Sequence, residues 1–362
     1  MRALLAAALL AGLPIPPAAA AESAAFEAVG SIDGVPIIDR LDAARLPAGT
    51  HRLWFRAGTS QLGQPWLVPV VVVRGAAPGP RLLLTAGIHG DELNGIGVLH
   101  RLAQSLDPEQ IAGTITMVPG LNTPGLLQST REFTPDWDRA ASNLNRVMPG
   151  AEGGRDIDDY AGRLWTRLLR PNADTAVDLH TQSRGLAYPM FVFASNARTR
   201  RMAELMAPDI IKMDRGDKGT IENTLTDDGV PAITLELGGP EIFDDRMITR
   251  GELGIRNLMR ELKMLPGKVT PLPASSFVAN ASEVVRTTRA GWLRLLIPLG
   301  SAVTKGQPVA VVTDGFGQVL ETLTSPVAGR ISSIATNPRR EIGAMAVRVA
   351  WWNPDPACAE GC

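Results

Sequence analysis

Two textures of apolar and polar spacing divide the chain. Up to about residue 265, short apolar runs alternate with stretches whose apolar residues recur at helical spacing; beyond it only short apolar runs remain, separated by Gly, Pro and Asp turns. In the first region Leu82, Leu83 and Leu84 read as a buried strand, and 93–106 as an amphipathic helix. His89 and Glu92 therefore fall at a strand-to-helix turn, where α/β sheets carry their chemistry. Residues 35–39, 50–56 and 66–74 read as strands, 75–80 as a turn, and 111–118 as the strand that completes a strand, helix, strand unit of the parallel kind. Residues 119–150 lack periodicity and are dense in Asn, Pro, Asp and Gly, which makes a loop of about thirty residues, longer than compact domains carry without a purpose. Helices are expected over 156–169, 197–206 and 251–264, and strands over 176–180, 190–193 and 233–237. The pattern divides into a leader at 1–21, an α/β domain at 22–265, a Pro- and Ser-rich linker at 266–281, a small all-β domain at 282–350, and a tail at 351–362.

Charge narrows the partners. Lys and Arg number 36 against 37 Asp and Glu, both signs interspersed, so the chain carries neither a nucleic-acid footprint nor a polybasic membrane patch. The leader joins Met1-Arg2 to an apolar stretch at 3–13 and then to small residues at Ala18 to Ala21, the pattern of a cleavable signal peptide. The stretch is short for a membrane span and is followed by Pro14, Pro16 and Pro17, so export to the periplasm without stable membrane insertion is expected. Export makes a disulfide between the only two cysteines, Cys358 and Cys362, chemically permissible; they equally suit a frayed tail and receive no function.

The chain has four histidines. His89 and Glu92, with Gly87 and Gly90 letting the backbone turn tightly, join His180 at the end of another strand to offer three N/O ligands with a fourth position open, a set suited to one catalytic zinc. Two hydrogen-bonded core histidines would be the plainer alternative. His100 reads as a packing or surface residue and His51 as a solvated turn residue. Asp178, two residues before His180, points to the same side of its strand and suits orientation of the imidazole, or a salt bridge elsewhere. Glu236 ends a third apolar strand and is the candidate general base, with a buried ion pair as the alternative. Arg131 and Arg139, in the long loop, are candidates for stabilising an oxyanion, and Asn145 with Arg146 suits a planar carboxylate.

Gly87-Ile88-His89-Gly90-Asp91-Glu92, Asn143-Leu144-Asn145-Arg146, Asp178-Leu179-His180 and Glu236-Leu237-Gly238-Gly239, in that order, resemble the succinylglutamate desuccinylase and aspartoacylase family of zinc hydrolases, relatives of the zinc carboxypeptidases. The resemblance spans roughly 65–350. It implies a carboxypeptidase-like mixed sheet flanked by helices, zinc on His89, Glu92 and His180, Glu236 as general base, and Asn145 with Arg146 as the carboxylate-binding pair. The family's carbonyl-polarising arginine lies a few residues upstream of the Asn-Arg pair, and because this loop is longer there than usual Arg131 is favoured over Arg139 for that role. Residues 303–309 and 325–329 resemble the halves of a biotinyl/lipoyl-like β-hammerhead. Where carrier domains hold a lysine this chain has Asp314-Gly315-Phe316-Gly317, so an unmodified module that covers the site or joins subunits of a homo-oligomer is expected. The resulting expectation is an exported zinc hydrolase that deacylates an N-acyl amino acid or related small carboxylate, with ester cleavage open to the same site. The rivals are a metallocarboxypeptidase or amidase of cell-wall peptides, and a zinc-binding protein without turnover.

Overall fold

The computed structural model describes residues 25–134, 142–271, 276–359 and 361–362. The leader at 1–21, Arg139 and part of the linker lie outside them. The first strands are β1 (Ala28–Ile32), β2 (Val35–Ile38), β3 (Gly49–Thr59), β4 (Pro65–Arg74) and β5 (Ala77–Ala86). Helix α1 (Asn94–Ser105), β6 (Ala112–Pro119), α2 (Thr123–Gln128), α3 (Asp156–Leu164) and β7 (Thr175–His180) follow. Then come β8 (Leu186–Ala187), β9 (Met190–Ala194), α4 (Ala197–Met206), β10 (Ile210–Met213), α5 (Ile221–Asp227), β11 (Ala232–Leu237), α6 (Asp245–Glu261) and β12 (Phe277–Ala279).

Eleven strands form one mixed sheet in the order β1-β2-β3-β4-β6-β5-β7-β11-β9-β10-β12. Its central strands β6, β5, β7 and β11 run parallel, and β9 enters antiparallel beside β11. Helices cover both faces, so the central strands are apolar throughout rather than alternating. One apolar core joins Leu82, Leu84 and Ile233 to Leu99 of α1, Met206 of α4 and Leu258 of α6. The other joins Leu83 to Tyr160 and Leu164 of α3 and Leu225 of α5.

Parallel pairing fixes where the chemistry stands. β5, β7 and β11 end at the same edge of the sheet, and Glu236 sits beside His180 in cross-strand register. The chain leaves β5 through Gly87, whose φ of +71° is open to glycine at little cost. At Gly90 an added Cβ would stand 2.0 Å from the carbonyl carbon of Gly125, far inside van der Waals contact. Gly90→Ala is expected to cost about 3 kcal/mol of stability, because a backbone and not a flexible side chain would have to move. A denaturation midpoint unchanged from the parent would contradict that.

Several boundaries differ from the sequence reading. The turn expected at 75–80 is largely strand, since β5 starts at Ala77 with an irregular register before Arg81. Helix α6 begins at Asp245, earlier than residue 251, because the Asp244 side chain accepts hydrogen bonds from the Arg246 and Met247 amides. The long loop is not featureless: Asn122 caps α2, and Leu144–Arg146 forms a single 3-10 turn. β1, β8, β10 and α5 lie where the sequence pattern predicts no element. The end of the expected linker, Phe277–Ala279, is the edge strand of the large sheet, paired with β10.

The C-terminal strands are β13 (Ala281–Arg286), β14 (Gly291–Leu295), β15 (Ala302–Val303), β16 (Pro308–Thr313), β17 (Val319–Thr324), β18 (Gly329–Ala335), β19 (Arg339–Arg340) and β20 (Met345–Trp351). They form two antiparallel sheets, β13-β20-β18-β15 and β17-β16-β14-β19, around a core that includes Val309, Val312, Ile331 and Val347. The tail is docked: Asn280 donates to the carbonyls of Asn353 and Cys358, and Cys358 and Cys362 form a disulfide. This module is tied to the first domain where β8 pairs with β18.

Candidate metal and catalytic centre

His89, Glu92 and His180 converge in the interior, each at most 3% exposed. Glu92 lies between the two imidazoles, its Oε1 2.9 Å from His89 Nδ1 and its Oε2 2.9 Å from His180 Nδ1. The outer nitrogens are held by other partners. His89 Nε2 lies 3.1 Å from Asn143 Oδ1, and His180 Nε2 lies 2.8 Å from Asp178 Oδ2. Asp178 is itself fixed by the Thr85 hydroxyl, which donates to its Oδ1 at 2.6 Å. Each imidazole thus turns Nδ1 inward while its other nitrogen is oriented from behind, an arrangement known from metal-ligating histidines.

One nitrogen from each histidine and one carboxylate oxygen lie within 4.8 Å of one another. Two imidazole nitrogens and a carboxylate fit a zinc ion that keeps a position for water. Burial would raise the Glu92 carboxyl, but His89 and His180 outweigh it and hold it well below the usual carboxylate range. Burial would likewise lower His180, yet Asp178 and Glu92 on either side raise it well above the usual imidazole range. His89 is pushed down by burial, against the pull of Glu92.

Arg131 reaches the same cluster. Its Nη1 donates to Ser183 Oγ at 2.6 Å and to Glu92 Oε1 at 3.2 Å, and lies 3.2 Å from His89 Nδ1. Glu236 is buried, and its Oε2 has no hydrogen-bond partner among the described residues. Burial first, and Glu92 among its neighbours, push its carboxyl well above the ordinary range. Burial thus disfavours the charged form of this carboxyl.

A cleft of about 390 Å³ opens over the cluster and takes in Glu236, Arg131, Asn145 and Arg146. Asn145 spends its carbonyl oxygen on the Ile221 amide, 3.1 Å away, which leaves its amide NH₂. Arg146 donates to the Asn145 carbonyl at 2.7 Å and to Asp217 at 2.5 Å. The sequence-selected residues therefore meet in one place, with Arg139 outside the described residues. His100 is exposed, and His51 is half-buried with a ring nitrogen 2.9 Å from the Pro47 carbonyl.

Sequence reasoning missed four polar partners. Asn143 opened a motif already singled out, so its role was within reach. Thr85 precedes the metal motif on β5. Thr181 donates its amide to Glu92 Oε2 at 3.1 Å, and Ser183 donates its hydroxyl to Glu92 Oε1 at 2.8 Å. A serine three residues beyond a histidine carries no pattern.

Residues 78–262 match the succinylglutamate desuccinylase/aspartoacylase catalytic domain. The chain is 32% identical over 260 residues to the N-alpha-acetyl-L-2,4-diaminobutyric acid deacetylase of Halomonas elongata, covering 68% of this chain and 74% of that protein. It is 26% identical over 190 residues to the succinylglutamate desuccinylase of Burkholderia orbicola, covering 48% and 54%. Among solved structures, the product-bound ectoine utilization protein EutE (DoeB) of Ruegeria pomeroyi superposes with a TM-score of 0.75 at 23% identity, over 90% of this chain and 99% of that one. A succinylglutamate desuccinylase/aspartoacylase of Rhodobacter sphaeroides gives 0.73 at 23%, over 85% and 97%. At such identities the structural likeness concerns the fold.

Proposed function

Because this chain belongs to the succinylglutamate desuccinylase/aspartoacylase catalytic domain family, whose members include deacylating amide hydrolases, we propose that it is an exported, zinc-dependent hydrolase that deacylates an N-acyl amino acid or a related small carboxylate. The observation that carries this reading is the convergence of His89, Glu92 and His180 beside an unpartnered oxygen of buried Glu236, in one cleft.

His89, Glu92 and His180 would hold zinc, which when bound supplies a Lewis acid and lowers the pKa of water. Glu236 takes the water's proton at its free Oε2 and returns it to the leaving amine. Arg131, already inside the cluster, offers its guanidinium to charge developing on the carbonyl oxygen. The NH₂ of Asn145 and the fork of Arg146 orient the substrate carboxylate. Asp178 and Asn143 fix the ring orientations from outside.

The names of the two relatives, one deacetylating a diamino acid and one removing succinyl from glutamate, favour a small N-acyl amino acid over a cell-wall peptide. A panel of N-acyl amino acids against dipeptides tests this. Preferential cleavage of dipeptides would move the reading to a carboxypeptidase, and bound zinc without turnover of any member to a binding protein.

Two further parts of the reading share one measurement. A leader cleaved near Ala20 or Ala21 and a hammerhead-like module with no lysine at its tip give a periplasmic chain shortened by the leader and free of biotin or lipoyl groups. The intact mass of the chain recovered from the periplasm checks both. A full-length mass would remove the cleaved leader, absence of the chain from the periplasm the export reading, and an adduct the unmodified module.

A further inference from the structure

Four Lys and Arg side chains line the cleft, and three of them pair with a carboxylate of the protein. Arg131 pairs with Glu92, Arg146 with Asp217, and Lys212 with Asp214. The fourth is Arg348. Its side chain has no ion pair or hydrogen bond among the described residues, and its Nε is shielded from solvent without a partner. A guanidinium offers five donors, and leaving one partly buried with none engaged is costly unless a ligand completes it.

Arg348 comes from outside the catalytic domain. It lies on β20, between Val284 of β13 and Ser333 of β18. The same module grips the chain that follows His180: β18 pairs with β8, and the Thr336 amide donates to the Gly185 carbonyl at 2.9 Å. Tyr188, just beyond β8, is buried and stacked on Phe191, with ring centroids 5.1 Å apart, and it lines the cleft along with Arg348. The module that fixes this wall also supplies the one Lys or Arg of the cleft lining that pairs with no carboxylate among the described residues. Guanidinium selects carboxylates because two parallel N–H groups match two oxygens.

We propose that Arg348 is a substrate-binding residue contributed by the C-terminal module, taking a carboxylate of the substrate other than the one oriented at Asn145 and Arg146. This rests on the hydrolase reading above. The second carboxylate belongs either to the acyl group or to the amino acid side chain, and matched substrates separate the two: N-succinyl against N-butanoyl amino acids for the first, N-acetylglutamate against N-acetylglutamine for the second.

In the zinc-loaded full chain, Arg348→Ala is expected to lower kcat/KM about thirtyfold for the dicarboxylate member of one pair, and to leave its neutral partner within about twofold. Arg348→Lys should restore part of the loss. Equal losses on both members would make Arg348 a structural residue and overturn the proposal, as would no loss on either. Equilibrium binding of the same pairs to the Glu236→Gln protein, with and without Arg348→Ala, reads the contact without turnover. A preference for the dicarboxylate that vanishes with Arg348 supports the proposal even if the wild-type chain hydrolyses neither compound, a result that would remove the hydrolase reading alone. No preference in either protein overturns the proposal.

Discussion

Replacing Glu236 with Gln is expected to lower kcat by about 10²–10⁴-fold, the usual contribution of a positioned general acid or base, while zinc content stays at the parent level. The substitution keeps the side chain's size in a buried position beside His180 on β11. It removes only the ability of Oε2 to accept and return a proton. That oxygen has no partner among the described residues, so no existing hydrogen bond is lost with it. Burial disfavours the charged carboxylate by more than His180 and Arg131 favour it, so the neutral amide should leave the folded chain no less stable. Activity measured against metal content is the decisive comparison: full turnover by Glu236→Gln would sink its assignment as the base.

His180→Ala should act on the metal instead. It deletes one of three donors, and it also leaves Glu92 and Asp178 without the imidazole that lies 2.9 and 2.8 Å from them. The loss of affinity should exceed the roughly 10–100-fold that follows removal of an outer partner of a ligand. A buried acceptor left unsatisfied costs about 1–3 kcal/mol, so the variant should fold with a lowered denaturation midpoint. Elemental analysis beside circular dichroism separates the outcomes. Zinc retained at the parent level in a folded variant would remove His180 from the ligand set.

The metal cluster was legible because it stands on elements with strong local signals. Leu82, Leu83 and Leu84 lead to His89, Ala176 and Val177 lead to His180, and Ile233 to Leu235 lead to Glu236; in each case a largely apolar strand carries the polar residue near its end or just beyond it. The fold class could be read for the same reason, since buried parallel strands are apolar on both faces. What could not be read depends on tertiary placement. Ser183 reaches Glu92 only because the chain folds back after β7. β12 is three residues long and sits in a Pro- and Ser-rich stretch, so its pairing with β10 leaves no local trace. Arg348 is the one charged residue in the apolar run of β20, and a lone arginine in a strand carries no local sign of a site. Its position in the cleft follows from the docking of one domain against another.

That dependence gives the C-terminal module a stated part in the account. The β8–β18 pairing sets the wall carrying Tyr188, and β20 brings Arg348 to the same wall. The proposed metal ligands and base belong to the first domain alone, so two kinds of defect are expected. Changes among His89, Glu92, His180 and Glu236 should abolish metal binding or turnover for every substrate. A change at Arg348 should alter which substrates are turned over.

The most direct test of the central claim is elemental analysis of the purified chain, coupled to hydrolysis of N-acyl amino acids before and after chelation. The account predicts zinc bound at the single site formed by His89, Glu92 and His180, and turnover that disappears with the metal and returns when zinc is restored. A chain that hydrolyses these substrates equally well without metal, or that holds no zinc after purification in its presence, would contradict it.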